Sequence, residues 1–223
     1  MEVQVIIGFI IGFIASLASV IIYERGKRPY LTIGLGSTVD DQKPGITPYR
    51  FTHIAVENKR VCWLLRRITD RSAAYACQAL IEVYFQGTRN RAIQQDIRAR
   101  WSGTPELVQT VAIPTPAGTL TAHVPDVTKL PQGRRMDIFA SYTEEFDISL
   151  KFEGDPDCYI FSNESYLVPN PAANRPWRNP NWRLNVGDYD IVVKVLSGSI
   201  TKEEHFALEN RGARREDMIL RPL

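Results

Sequence analysis

The sequence predicts an all-β domain, a two-layer β-sandwich, behind one N-terminal transmembrane α-helix. Two observations carry this. Residues 3–23 hold no charge and are dense in Ile, Val, Phe and Leu. The rest of the 223-residue chain shows short apolar runs of period two, separated by turn-forming residues, with poor helix signals. Many short strands divided by turns argue for sheet packed on sheet. Residues 1–28 are therefore assigned to the anchor and its basic flank, and 29–223 to the sandwich.

At about 1.5 Å per residue, the apolar run is long enough for a hydrocarbon core of roughly 30 Å. A cleaved signal would begin with basic residues and end on a small-residue cleavage site. This chain begins Met1-Glu2-Val3-Gln4, and the run ends Val20-Ile21-Ile22-Tyr23. A buried core helix would rarely be apolar all round. Arg25, Lys27 and Arg28 follow at once. Basic flanks tend to stay cytoplasmic, so the N-terminus is expected outside and the domain in the cytoplasm, at the cell membrane. Gly8, Gly12 and Ser16 recur at a spacing of four, a candidate seam for a helix homodimer. Glycine is also common in membrane helices generally, so the helix as a plain tether stays open.

The soluble part suffices for one large domain, or at most two small ones. A net charge of +2 argues against a uniformly basic nucleic-acid binder. Cys62, Cys77 and Cys158 are odd in number and not closely spaced, which is no disulfide framework and fits a reducing compartment. Without a Cys-x-x-Cys pair a structural zinc site is not expected.

Strands are expected in order. Residues 30–35 form a short one, closed by the polar run 37–48. Residues 51–58 form the next. The best formed is 75–85, with Cys77, Ala79, Ile81, Val83 and Phe85 on one face and Gln78, Glu82 and Tyr84 on the other. Residues 92–101 read as an edge or exposed strand, 136–142 as another strand, and 146–152 as one with Phe146, Ile148, Leu150 and Phe152 on a single face. After the short 159–161, residues 187–196 alternate cleanly, turn at 197–199 and pair back through 201–208, with a last strand at 217–220. Between these, 168–185 carries Pro169, Pro171, Pro176 and Pro180 with Trp177 and Trp182. Proline cannot donate to a ladder, so this is a long ordered loop pinned by its tryptophans.

The order His53-Ile54-Ala55-Val56-Glu57-Asn58, a loop, then Ala76-Cys77-Gln78-Ala79-Leu80-Ile81-Glu82-Val83 resembles two successive strands of prokaryotic immunoglobulin-like modules. The closing Gly187-Asp188-Tyr189-Asp190-Ile191-Val192-Val193 is similar to their late strand. The resemblance covers about half of the soluble chain and implies an immunoglobulin-like β-sandwich with a binding or scaffold role. The chain departs from it in its long loops at 58–74 and 168–185.

No catalytic motif, P-loop or His-Glu-x-x-His pattern occurs, and His53, His123 and His205 are isolated. Enzymatic activity and cofactors are not expected. A hydrolytic site assembled from distant strands is the remote alternative. Asp155-Pro156-Asp157, with Glu153 and Asp147 near in sequence, reads as a solvated turn rather than a calcium loop. The basic group Arg89, Arg91, Arg98 and Arg100 gives a second alternative, phosphate or nucleic-acid binding; a solvated edge guarded by charge is the plainer reading. The most informative segment is 58–71, where Lys59, Arg60, Arg66 and Arg67 surround Trp63 and Leu64. Three readings stay open for it: a plug for the end of the sandwich, a protein-binding patch, or a lipid contact. The expected role is thus a membrane-anchored, non-enzymatic interaction or sensing module with an unidentified protein partner.

Overall fold

The computed structural model describes the chain apart from residues 1, 64, 68, 116–117, 169–174, 176 and 199, and only the backbone over 2–5, 65 and 108–125. An apolar helix, α1 (Glu2–Lys27), leads the chain. Over residues 6–27 it is long and apolar enough to cross a membrane, and its side chains from Ile6 to Tyr23 all stand free of the domain.

The remainder is mostly β. The first strands are β1 (Leu31–Asp41), β2 (Tyr49–Asn58), β3 (Ala74–Phe85) and β4 (Ile97–Arg98). Next come β5 (Val108–Thr115), β6 (Gly118–Pro125), β7 (Met136–Ile138), β8 (Thr143–Phe152) and β9 (Cys158–Ile160). The last are β10 (Arg183–Leu184), β11 (Gly187–Ser197), β12 (Ile200–Asn210) and β13 (Met218–Pro222). One antiparallel sheet runs β1-β2-β8-β9-β10; the other runs β13-β12-β11-β3-β4, with β7 also on β3; β5 and β6 form a separate hairpin.

The two sheets enclose one core. Ile54, Val56, Phe146, Ile148 and Ile160 of the first meet Cys77, Ala79, Ile81, Val83, Ile191, Val193 and Phe206 of the second. The alternation of β3 and β11 thus does what the sequence predicts: one face of each enters the core. Phe85 is the exception on β3, half exposed at the strand end. Trp101 closes the core from a loop. It is fully buried, stacks edge-on against Phe146 at 5.3 Å, and donates from Nε1 to the Cys77 carbonyl at 3.2 Å.

Four expectations need correction. Phe146, Ile148, Leu150 and Phe152 do not share a face. Thr52 pairs with Ser149 but His53 pairs with Asp147, so Ile148 is an extra residue on β8. A bulge of one residue reverses the alternation beyond it. Phe146 and Ile148 therefore face the second sheet, while Leu150 and Phe152 join Tyr49 and Phe161 in a separate cluster. Second, β1 continues to Asp41 through a bulge between Leu35 and Thr38, although its sequence is polar there. Cross-strand bonds compensate, Arg50 Nε to Asp40 at 2.7 Å among them. Third, 92–101 is an edge strand only over Ile97–Arg98, and it is exposed only in part. Ile93, Ile97, Ala99 and Trp101 are all buried, and only Ile97–Arg98 pairs with β3. Fourth, 136–142 is a strand only over Met136–Ile138. The β5–β6 hairpin was not anticipated.

The loop after β9 lies over the second cluster. Trp177 packs against Tyr49 at 5.6 Å and Tyr166 at 5.9 Å, and Trp182 is buried in the main core. Both tryptophans pin the segment as predicted; 169–174 and 176 lie outside the described residues.

Candidate functional site

The end of the sandwich that receives α1 is built around Asn58, the last residue of β2. Its side chain is fully buried and ties three segments together. Oδ1 accepts from the Tyr30 amide at 3.1 Å, and Nδ2 donates to the carbonyls of Ser72 at 3.0 Å and Ile138 at 3.1 Å. Its backbone bonds both ways with the turn after β7: Asn58 N to Tyr142 O at 3.2 Å, and Ser141 N to Asn58 O at 2.7 Å. The helix end is fixed to the same frame. Ser72 donates its amide to the Lys27 carbonyl at 2.7 Å, and Arg71 reaches the Arg28 carbonyl at 2.8 Å. A Cβ added at Gly26 would lie 2.7 Å from Thr69 Cγ2, so the glycine permits this close approach.

On this frame sits the segment singled out in the sequence. Lys59, Arg60, Trp63, Arg66 and Arg67 are exposed, and Trp63 retains 73% of its surface. Leu65–Arg67 make one turn of 3-10 helix. Leu64 and Ile68 lie outside the described residues. Among the described residues of the loop Val61 and Thr69 turn inward, and Trp63 does not, so the loop does not plug the sandwich with its tryptophan. Arg60 Nε bonds the Ser141 hydroxyl. Among the described residues, Lys59, Arg66 and Arg67 have no ion-pair partner. Sequence reasoning missed the aromatic neighbours. Phe139 and Tyr142 are 56% and 62% exposed, with rings edge-to-face at 6.2 Å. Their proximity to the loop depends on Asn58, a contact no local pattern reveals. Cys62, beside Trp63, is an exposed free thiol, whereas Cys77 and Cys158 are buried. Burial pushes the Cys158 thiol up to about 12.

A second constellation lies on the outward face of the first sheet. Asp147 accepts from Arg100 at 3.0 Å, from the Ser102 hydroxyl at 2.8 Å, and pairs with His53 Nε2 at 3.0 Å. His53 Nδ1 lies 3.0 Å from the Ser37 carbonyl and 3.2 Å from its hydroxyl. His53, Arg100 and Asp147 are each more than nine-tenths buried. Ser, His and Asp side chains in contact invite comparison with a hydrolase triad. The geometry is otherwise. Both imidazole nitrogens face acceptors, a carboxylate and a carbonyl. The Ser37 hydroxyl is spent on Glu145 at 2.5 Å. Burial alone would lower the His53 pKa, but Asp147, the Ser37 carbonyl and Glu145 outweigh it and hold the pKa above its ordinary value. The raised pKa favours the doubly protonated ring, the form that cannot take a proton from a serine.

The third feature is a depression of about 900 Å³ on the outward face of the second sheet, lined by Glu82, Tyr84, Arg91, Lys194, Glu203 and His205 among others. Its charges already neutralise one another. Lys194 lies 2.5 Å from Glu82 and 3.8 Å from Glu203, and Arg91 lies 3.5 Å from Glu82.

The basic quartet proposed for phosphate does not assemble. Arg89 and Arg91 line the larger depression, where Arg91 is paired with Asp96 and Glu82; Arg100 is buried against Asp147; and Arg98 lines a smaller hollow with Arg134 and Arg135. The turn at Asp155 is solvated only in part, at Gly154 and Pro156. Asp155 is buried and pairs with Arg178 at 2.9 Å, while Asp147 belongs to the histidine network. Asn163, a formal glycosylation acceptor with Ser165, is buried and donates to the Leu130 carbonyl at 2.9 Å. Among the described residues no group of three or more potential ligands is placed for a metal. A methyl group added at Gly8 or Gly12 meets nothing within 4 Å, so the proposed seam is unoccupied in the single chain.

No protein-family model, curated protein or solved structure matches this chain.

Proposed function

We propose that the chain is a single-pass membrane protein whose immunoglobulin-like β-sandwich is a non-enzymatic interaction module presented at the cytoplasmic face. The order β12-β11-β3 opposite β2-β8 supports the immunoglobulin-like reading, since two strands of one sheet facing three of the other is the core of that architecture. The chain departs from it where β9 follows β8 and where the β5–β6 hairpin is inserted.

The observation that carries the proposal is the join between helix and domain. Bonds from Ser72 and Arg71 to the carbonyls of Lys27 and Arg28 leave no free linker. An apolar helix rigidly joined to a sandwich holds one end of that sandwich at the bilayer. The basic residues after the helix support the cytoplasmic side. Occupation of both His53 nitrogens supports a role without a serine nucleophile.

Extraction of membranes with alkaline carbonate should leave the full chain in the pellet. A membrane-impermeant maleimide should not reach an Ala213→Cys variant in intact cells. A fluorophosphonate probe should not label Ser37. Release by carbonate would remove the anchor, labelling in intact cells would reverse the orientation, and Ser37 modification would make the protein a hydrolase.

A further inference from the structure

We propose that the helix end of the sandwich docks on anionic lipid headgroups, with Trp63, Phe139 and Tyr142 entering the headgroup layer and Lys59, Arg66 and Arg67 contacting phosphates. This rests on the anchor reading above and names the partner of that end.

Three observations converge. The first is position: the loop and the turn share the Asn58 frame with the last turn of α1. If α1 spans a bilayer, this end faces the headgroups and the opposite end, with Asp41 and Asn210, points away. The second is chemistry. Tryptophan and tyrosine concentrate at membrane interfaces, where an apolar ring carries a polar edge. Here Trp63 and Tyr142, with the wholly apolar Phe139, are exposed at the helix end of the domain. The third is charge. Lys59, Arg66 and Arg67 lack carboxylate partners among the described residues, and Arg25 and Arg28 extend the same positive surface. Of the nearby acids, Asp70 accepts from the Arg71 amide. Cations beside exposed rings complement an anionic, amphipathic surface. A protein partner would have to enter between this end and the bilayer to reach the same residues.

The test uses the full chain in vesicles of phosphatidylcholine, alone or mixed with phosphatidylglycerol, each with acyl chains brominated near the headgroup. The helix contains no tryptophan, Trp101 and Trp182 are buried, and the half-buried Trp177 packs on Tyr49 at the far end of the domain, so quenching reports mainly on Trp63. In mixed vesicles its emission should shift to the blue and be quenched, and added salt should reverse this. Trp63→Phe should abolish the quenched component. Arg66→Glu with Arg67→Glu should reduce it to the level seen in phosphatidylcholine alone. An unchanged melting temperature shows that the variants fold. Absence of quenching in mixed vesicles overturns the proposal, as does equal quenching in both compositions regardless of salt. Carbonate release would instead overturn the anchor, so the two failures are distinct.

Discussion

Charge is handled in opposite ways in the interior and at the helix end. Inside, Asp147 is shared by Arg100, Ser102 and His53, and the fully buried Lys151 donates to Asn210 Oδ1 at 2.7 Å and the Pro156 carbonyl at 3.2 Å. At the helix end, Lys59, Arg66 and Arg67 stand in solvent with no carboxylate partner among the described residues. Burying a charge costs more than the fold can spare unless it is matched, so interior groups must find partners within the chain. Exposed ones need none. Cations gathered beside exposed aromatics are therefore free to meet something outside the molecule, whereas the more conspicuous Ser-His-Asp grouping is tied up in holding the sheet.

Substitution on either side sharpens this contrast. Asp147→Ala strands a buried arginine and a buried histidine, and should cost about 3–5 kcal/mol. Arg66→Ala and Arg67→Ala should each shift stability by no more than about 0.5 kcal/mol. Urea denaturation followed by fluorescence distinguishes them, and equal losses would end the comparison. The tryptophans repeat the contrast without charge. Trp101→Ala empties a fully buried site and should cost about 3–5 kcal/mol, while Trp63→Ala should be near neutral.

A smaller effect follows from His53. Its folded pKa is raised above an unfolded value of about 6.5. The proton is bound more tightly in the folded state, so this contribution is complete below about pH 6.5 and is lost as pH rises through the folded pKa. Stability should therefore decline from mildly acidic toward alkaline pH, and His53→Gln should flatten that slope. A slope unchanged by His53→Gln would show that the histidine does not hold its second proton.

Much of the interior was legible in the sequence because period-two patterning directly encodes which face is buried. The faces of β3 and β11 and the closing hairpin follow from it, and the apolar helix follows from its unbroken uncharged run. The bulge at Ile148 was not legible, since one inserted residue leaves a run looking continuous. Nor was the fate of Arg100. Its alternation with Ala99 resembles a solvated edge, and its partner Asp147 is 47 residues away. The helix end was half legible. The basic loop with Trp63 announced itself, but Phe139 and Tyr142 join it through long-range bonds, those of Asn58 and that of Arg60 to Ser141.

The depth of residue 62 in a bilayer most directly distinguishes a docked domain from one held clear of the membrane. Cys62 is exposed beside Trp63, and the other two cysteines are buried, so a nitroxide can be placed there without engineering. In full-length protein in phosphatidylcholine–phosphatidylglycerol bilayers, that label should be more accessible to oxygen than to a water-soluble nickel chelate. A label at Ala213→Cys in a Cys62→Ser background, at the far end, should show the reverse. Equal and predominantly aqueous accessibility at both positions would mean that the domain stands clear of the membrane, and the docking surface would not exist.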